Sequence, residues 1–141
     1  MAMHYTQSFM IEGRNFLAAG RASAEIKSIL KQLGIDAAII RRVAIATFEA
    51  EMNVVMYAQR AVMMIEVTPR AISVIIDDQG PGIPDINLAM QEGYSTATVE
   101  MREMGFGAGL GLPNIKRNSD DLKIMSTIGK GTKIEITISI N

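Results

Sequence analysis

Four short stretches carry residue types that can do chemistry together. In Ile75-Ile76-Asp77-Asp78-Gln79-Gly80-Pro81-Gly82-Ile83, an apolar run over 71–76 stops in two acids. Gly80 and Gly82, separated by one proline, then let the backbone turn sharply and approach another group closely. Such a junction suits a ligand, although an acidic turn between two elements is the commoner reading of Asp-x-Gly-x-Gly taken alone, so its company decides. Upstream stand Glu49 and Asn53, four apart and therefore one above the other on a helix, with Ala46 and Ala50 as small walls beside them. A carboxylate and an amide on an otherwise apolar helix need partners, because burying such groups unpaired costs about 2–7 kcal/mol. Downstream, the run Gly105-Phe106-Gly107-Ala108-Gly109-Leu110-Gly111 leads into a helix with Pro113 near its first turn. Glycine-rich backbone at that place presents unpaired amide donors and a positive dipole end, which suits phosphate. The fourth stretch is Gly129-Lys130-Gly131-Thr132.

Better-known phosphate loops do not fit. Counting from Gly107 and Gly109, the third glycine of a dinucleotide fingerprint falls on Leu112. Lys130 is followed by Gly131, and Ile124 stands five before Gly129, which excludes a Walker A loop. Neither His-Arg-Asp nor Asp-Phe-Gly occurs, so the chain is not a eukaryotic-type kinase.

The elements that position these residues are read from periodicity. Residues 5–11 alternate as a first strand ended by Gly13, and 16–33 repeat at helical spacing up to Gly34, with Arg21, Glu25, Lys27 and Lys31 facing water. Asp36 caps a second helix running to about residue 58. Residues 61–68 and 71–76 form a hairpin across Pro69-Arg70, and a short helix starts at Pro84-Asp85 and runs through residue 90. Residues 92–103 lack periodicity and read as a lid or a disordered segment. The helix after the glycines continues to about residue 118, and strands over 122–126 and 132–140 close the chain. In the last strand Ile134, Ile136, Ile138 and Ile140 alternate with polar partners, giving one buried sheet face that the helices must cover. A two-layer α/β sandwich is the simplest architecture, of class α+β.

Composition narrows the function classes. At 141 residues the chain is expected to form one domain, 1–141, with a single core. The formal net charge of −1 supplies no basic field for nucleic acid or an anionic membrane. The sequence has no cysteine, which excludes disulfides, thiolate catalysis and cysteine zinc sites. His4 is the single histidine and receives no role. The eleven methionines read as core filler. No apolar run reaches the roughly 18 residues of a membrane span, and the first residues lack a signal pattern, so a cytoplasmic location is expected.

In their order and spacing the four stretches resemble the N box, first glycine box, glycine-rich lid and final Gly-Thr of the GHKL (Bergerat) ATP-binding fold, over roughly residues 37–140. The resemblance implies a mixed, mainly antiparallel sheet with helices on one face, and ATP and Mg²⁺ as cofactors. It implies that Asp78 accepts a hydrogen bond from the adenine amino group. Gly82, in the same loop as Gly80, would let the base or ribose lie close, and Thr132 would support the adenine end. Asn53 would ligate Mg²⁺. Gly105, Gly107, Gly109, Leu110 and Gly111 would wrap the phosphates as a lid. Glu49 would be the base or positioner for the attacking hydroxyl or water. Phosphoryl transfer needs alignment, charge neutralisation and one carboxylate near the nucleophile, and these residue types supply them. Arg102 either reaches the γ-phosphate or stands solvated, and Lys116 and Arg117 read as surface or partner contacts.

Within that fold, a chain of this length is expected to leave no room for a sensor kinase's dimerisation helix or for the second domain of gyrase-like or chaperone ATPases. The stretches Ala89-Met90-Gln91-Glu92-Gly93-Tyr94-Ser95-Thr96 and Gly109-Leu110-Gly111-Leu112-Pro113-Asn114-Ile115-Lys116-Arg117 resemble the RsbT-type switch kinases of the stressosome more than the RsbW and SpoIIAB type. That resemblance implies a serine/threonine-protein kinase acting on a STAS-domain antagonist, then released to a phosphatase or cyclase effector. An anti-sigma factor kinase is the alternative, and a binding module that acts by contact, with nucleotide only structural, is a third.

Overall fold

A computed structural model of the chain describes residues 4–91 and 111–140. Strands β1 (Tyr5–Glu12), β2 (Arg60–Val67), β3 (Ala71–Gln79), β4 (Asp121–Thr127) and β5 (Gly131–Ser139) form one sheet in the order β1-β2-β3-β5-β4. Every pairing among the described residues is antiparallel. Helices α1 (Arg21–Gln32), α2 (Ala37–Tyr57) and α4 (Gly111–Arg117) supply buried side chains to the core on one side of the sheet, while α3 (Ile86–Ala89) is a short turn of helix behind an Asp85 cap.

Period-two alternation decides which sheet face is covered. In β2, Ala61, Met63, Ile65 and Val67 are buried and the residues between them are exposed. Ile72, Val74 and Ile76 of β3 and Ile134, Ile136 and Ile138 of β5 continue the same buried face. The opposite face keeps Met10, Val62 and Met64 open to solvent, and the register sets Met10 beside Val62.

Helix α2 is the centre of the covering layer. Asp36 Oδ2 accepts the Ala38 N–H at 3.1 Å, and the helix buries Ile40, Val43, Ala46, Thr47, Ala50 and Val54 between sheet and neighbouring helices. The Thr47 hydroxyl is fully buried and donates to the Val43 carbonyl at 2.8 Å, so it leaves no unpaired polar group. At the far end of the sheet Asp120 joins the layers. Its Oδ1 accepts from Arg42 at 2.9 Å and its Oδ2 from the Ser139 N–H at 2.6 Å, and these bonds hold its carboxyl below the usual carboxylate range.

Two expectations change. The predicted helix over 16–33 is two pieces, a 3-10 turn at Phe16–Ala18 and then α1. Gly20 stands between them at φ +94, a left-handed conformation that ends one helix and starts the next. The predicted strand over 71–76 runs on to Gln79, because β5 pairs with it as far as Asp77, opposite Lys133, and β2 carries the pairing on through Asp78, opposite Ala61, to Gln79, opposite Arg60. Both acids therefore stand on the strand, not after it.

Candidate functional site

The site-bearing side chains fall into two clusters along α2. The first gathers Glu49, Asn53, Gly111 and Asn114. A Cβ placed on Gly111 would lie 3.3 Å from Asn53 Oδ1 and 3.4 Å from Glu49 Oε2, so Gly111 of α4 packs closely against both N-box side chains. Burial pushes the Glu49 carboxyl above the usual carboxylate range, and a hydrogen bond with the Asn114 side chain draws it partly back. Asn114 Oδ1 accepts from the Arg117 guanidinium.

The second cluster lies where β3 leaves the sheet. Asp78 Oδ1 accepts the Thr132 N–H at 2.9 Å. Burial raises the Asp78 carboxyl above its ordinary range; the Thr132 N–H opposes the rise, the Asp77 charge adds to it and the Gly80 N–H opposes it again. Gly131, at φ +150, lies so close that a Cβ there would sit 2.0 Å from the Asp78 carbonyl oxygen. The buried Thr132 has its hydroxyl 2.8 Å from Ser126 Oγ, and Ser126 Oγ accepts the Ile83 N–H at 2.7 Å. The loop after β3 is thereby tied to β4 and β5. Gly82 adopts φ +81, and a Cβ there would meet the Thr127 carbonyl at 2.6 Å. The close approach assigned to a ligand at Gly82 is thus made by the chain's own β4 end.

Helix α2 sets the distance between the clusters. It is capped by Ala58, whose Cβ would lie 3.2 Å from one on Gly80. At 1.5 Å rise per residue, Asn53 stands roughly 7.5 Å and Glu49 roughly 13.5 Å back along the axis from Ala58. A ligand lying along α2 would meet Asp78 first, then the amide, then the acid.

Gly105, Gly107, Gly109 and Leu110, and Arg102 with them, lie outside the described residues. The cavity of about 420 Å³ between β1 and α1 contains none of the expected site residues. No cluster of three or more His, Cys, Asp or Glu able to hold a metal ion exists among the described residues. Asn53 is a lone neutral oxygen donor, which fits a hard ion such as Mg²⁺ that keeps most of its shell as water and substrate phosphate.

Three residues escaped the sequence reading. Asn114 stands three residues after Gly111 and so shares its helix face, a signal that periodicity offers. Ser126 is the register partner of Thr132. Glu51 is buried and turned away from the site: its carboxylate accepts the N–H groups of Gly20 (2.9 Å), Ala22 (3.2 Å) and Ser23 (3.0 Å), capping α1, whose Gly20 has no side chain to do so.

An antiparallel sheet covered on one side, with a helix acid and amide set against Gly111 of a second helix, defines the class. The profile of the histidine kinase-like ATPase domain matches residues 17–138, and the chain belongs to that family. Among its relatives, the serine/threonine-protein kinase RsbT of Bacillus subtilis is 34% identical over 113 residues, 77% of this chain and 79% of that protein. The anti-sigma F factor of Thermoanaerobacter is 38% identical over 66 residues, 47% of this chain and 43% of that protein. The crystal structure of the RsbU and RsbW domains of a Mycobacterium tuberculosis protein superposes with a TM-score of 0.58 at 16% identity, over 93% of this chain and 32% of that one, and shows the fold. No helix among the described residues is long and apolar enough to cross a membrane.

Proposed function

We propose that residues 1–141 form a single ATP-dependent serine/threonine-protein kinase domain of a bacterial partner-switching pathway, working in the cytoplasm. Its substrate is a STAS-domain antagonist of the stressosome type, and after release it activates a phosphatase or cyclase effector. The observation that carries this reading is the convergence of Glu49 and Asn53 on Gly111, seen in a chain 34% identical to RsbT.

Asp78 accepts from the adenine amino group, with Thr132 and the loop of Gly80 and Gly82 shaping that end. Asn53 would hold Mg²⁺ through one oxygen, and the ion would supply charge neutralisation for the phosphates. Gly105, Gly107, Gly109, Leu110 and Gly111 supply backbone N–H groups to the phosphates. Glu49 receives the proton of the substrate hydroxyl as that oxygen bonds to the γ-phosphorus, while the bond from γ-phosphorus to the bridging oxygen breaks and ADP leaves. The added phosphate, of about −1.5 to −2 charge, breaks the packed interface and frees the kinase.

Incubation with a STAS-domain protein and γ-labelled ATP tests this. Label should appear on a Ser or Thr of the partner, and Glu49→Ala should stop transfer while ATP still binds; transfer that survives Glu49→Ala refutes the role of Glu49. The match to anti-sigma F factors favours a second reading, in which the kinase also sequesters a sigma factor; co-purification with a sigma factor would select it. A contact-only module is selected if Asp78→Ala abolishes nucleotide binding yet partner activation persists.

A further inference from the structure

We infer that Ile45 and Phe48, an exposed apolar pair beside Glu49 on α2, are the surface on which the protein substrate docks. The inference rests on the kinase reading above and deepens it by locating where the substrate protein is held.

On a helix that covers a sheet, the side turned away from the sheet is ordinarily polar. On α2 that side carries Arg41, Ile45, Phe48, Met52 and Met56 at helical spacing, opposite the core residues Val43, Ala50 and Val54. Its second half is covered by the chain itself. Met52 and Met56 are buried in a small cluster with Phe16 and Ala19, at the turn before α1, and with Tyr57. The cover stops at Gly20, where a Cβ would lie 3.5 Å from the Phe48 ring. Ile45 and Phe48 are left 36% and 42% exposed, and Leu17, on the same turn as Phe16, is open to solvent as well.

The neighbouring acid decides what covers the pair. Transfer requires a Ser or Thr hydroxyl within about 3 Å of the Glu49 carboxylate, so a folded substrate must sit on the surface around that group. A stable interface takes about 800 Å² from each partner, a patch roughly 16 Å in radius. Ile45 stands one turn, about 6 Å, from Glu49 along the axis, and Phe48 directly precedes Glu49 in the chain. A protein centred on Glu49 therefore covers both, and burying them supplies affinity that does not depend on the nucleotide. Arg41, exposed one turn beyond Ile45, sets the charge at that end of the patch. The partner that fits carries a Ser or Thr with an apolar residue beside it and an acid further out, toward Arg41.

Ile45→Gln and Phe48→Gln, alone and together, test this by the split between kcat and KM. With a STAS-domain protein and labelled ATP, KM for the protein should rise about ten- to hundredfold in the double variant, while kcat at saturation, ATP Kd and melting temperature stay near the parent's. Met64→Gln, 41% exposed on the open sheet face, should leave KM unchanged. An unchanged KM in the double variant overturns the inference, and so does an equal rise with Met64→Gln. A loss confined to ATP affinity also overturns it, because the pair then serves the nucleotide. Gel filtration reads the other occupant: a dimer that the double variant splits, with KM unchanged, makes the pair a contact between copies and overturns the inference. Should Phe48→Gln melt low because its ring lies against Gly20, Ile45→Gln alone decides, with a rise in KM of at least about threefold expected. Should the unmodified chain transfer no phosphate to such a protein, the kinase reading falls and this inference with it, an outcome distinct from the others.

Discussion

At the scale of single residues, the site is built from groups held under mild electrostatic cost. Asp78 illustrates the sign. Its carboxyl binds a proton more tightly in the folded chain than in the unfolded one, chiefly through burial. That linkage favours the folded state fully below the unfolded pKa and is lost as pH rises through the folded one, so at neutral pH the ionised group is a small liability. Asp78→Asn should leave the melting temperature unchanged or slightly raised, since an amide oxygen can still accept from Thr132. Under the proposed adenine contact, the same change should weaken ATP binding by about ten- to hundredfold, because a carboxylate acceptor would be replaced in part by a donor set against the adenine amino group. Calorimetric titration and a thermal scan on the two proteins read both halves. ATP affinity should also decline on acidification at a pH above that expected of an ordinary aspartate. Gly131 allows a sharper test: any side chain there collides with the Asp78 carbonyl, so Gly131→Ala should lose ATP binding and melt lower, while Gly129→Ala, which meets no neighbouring atom but sits at φ +80, should cost only about 1 kcal/mol of backbone strain.

At the scale of elements, α1 depends on a residue far away in sequence. Three N–H groups at its start converge on Glu51. Glu51→Ala should cost about 2–4 kcal/mol, for three orphaned donors in a buried place, and Glu51→Gln less, because one oxygen can still accept two of them. Chemical denaturation with the midpoint and slope both recorded checks this. The arrangement also explains what could be read from the residues alone. Strands and α2 were legible because alternation and the Asp36 cap are local. The break at Gly20 was not, since apolar spacing runs straight through 16–33 and the acid that ends the continuity lies on α2. Glu49 and Asn53 stood out by spacing, yet Glu51, two residues along and so on another side of the helix, has its meaning only in the packed molecule. The reach of β3 to Gln79 was hidden for a related reason: two acids look like an ending until the neighbouring β2 keeps the ladder going.

At the scale of the whole molecule, the sheet has a covered face and an open one, and the two should answer differently to change. Ile136→Ala removes a fully packed side chain and should cost about 2–5 kcal/mol. Met64→Lys on the other face should alter stability by about 1 kcal/mol or less. Denaturation of both variants maps which layer bears the helices. The Arg42 and Asp120 pair at the surface should matter less than either core change, and its contribution, present above the unfolded aspartate pKa, should fade as pH falls through the lowered folded one. One helix, α2, bears an acid for the site and an acid for α1 only two positions apart. A single residue inserted ahead of Glu49 would rotate the first half of the helix by roughly 100° relative to the second. Either the half with the two acids or the half anchored by Val43 would then face the wrong way. Lineages of this domain should therefore vary in loop length freely while α2 admits neither insertion nor deletion.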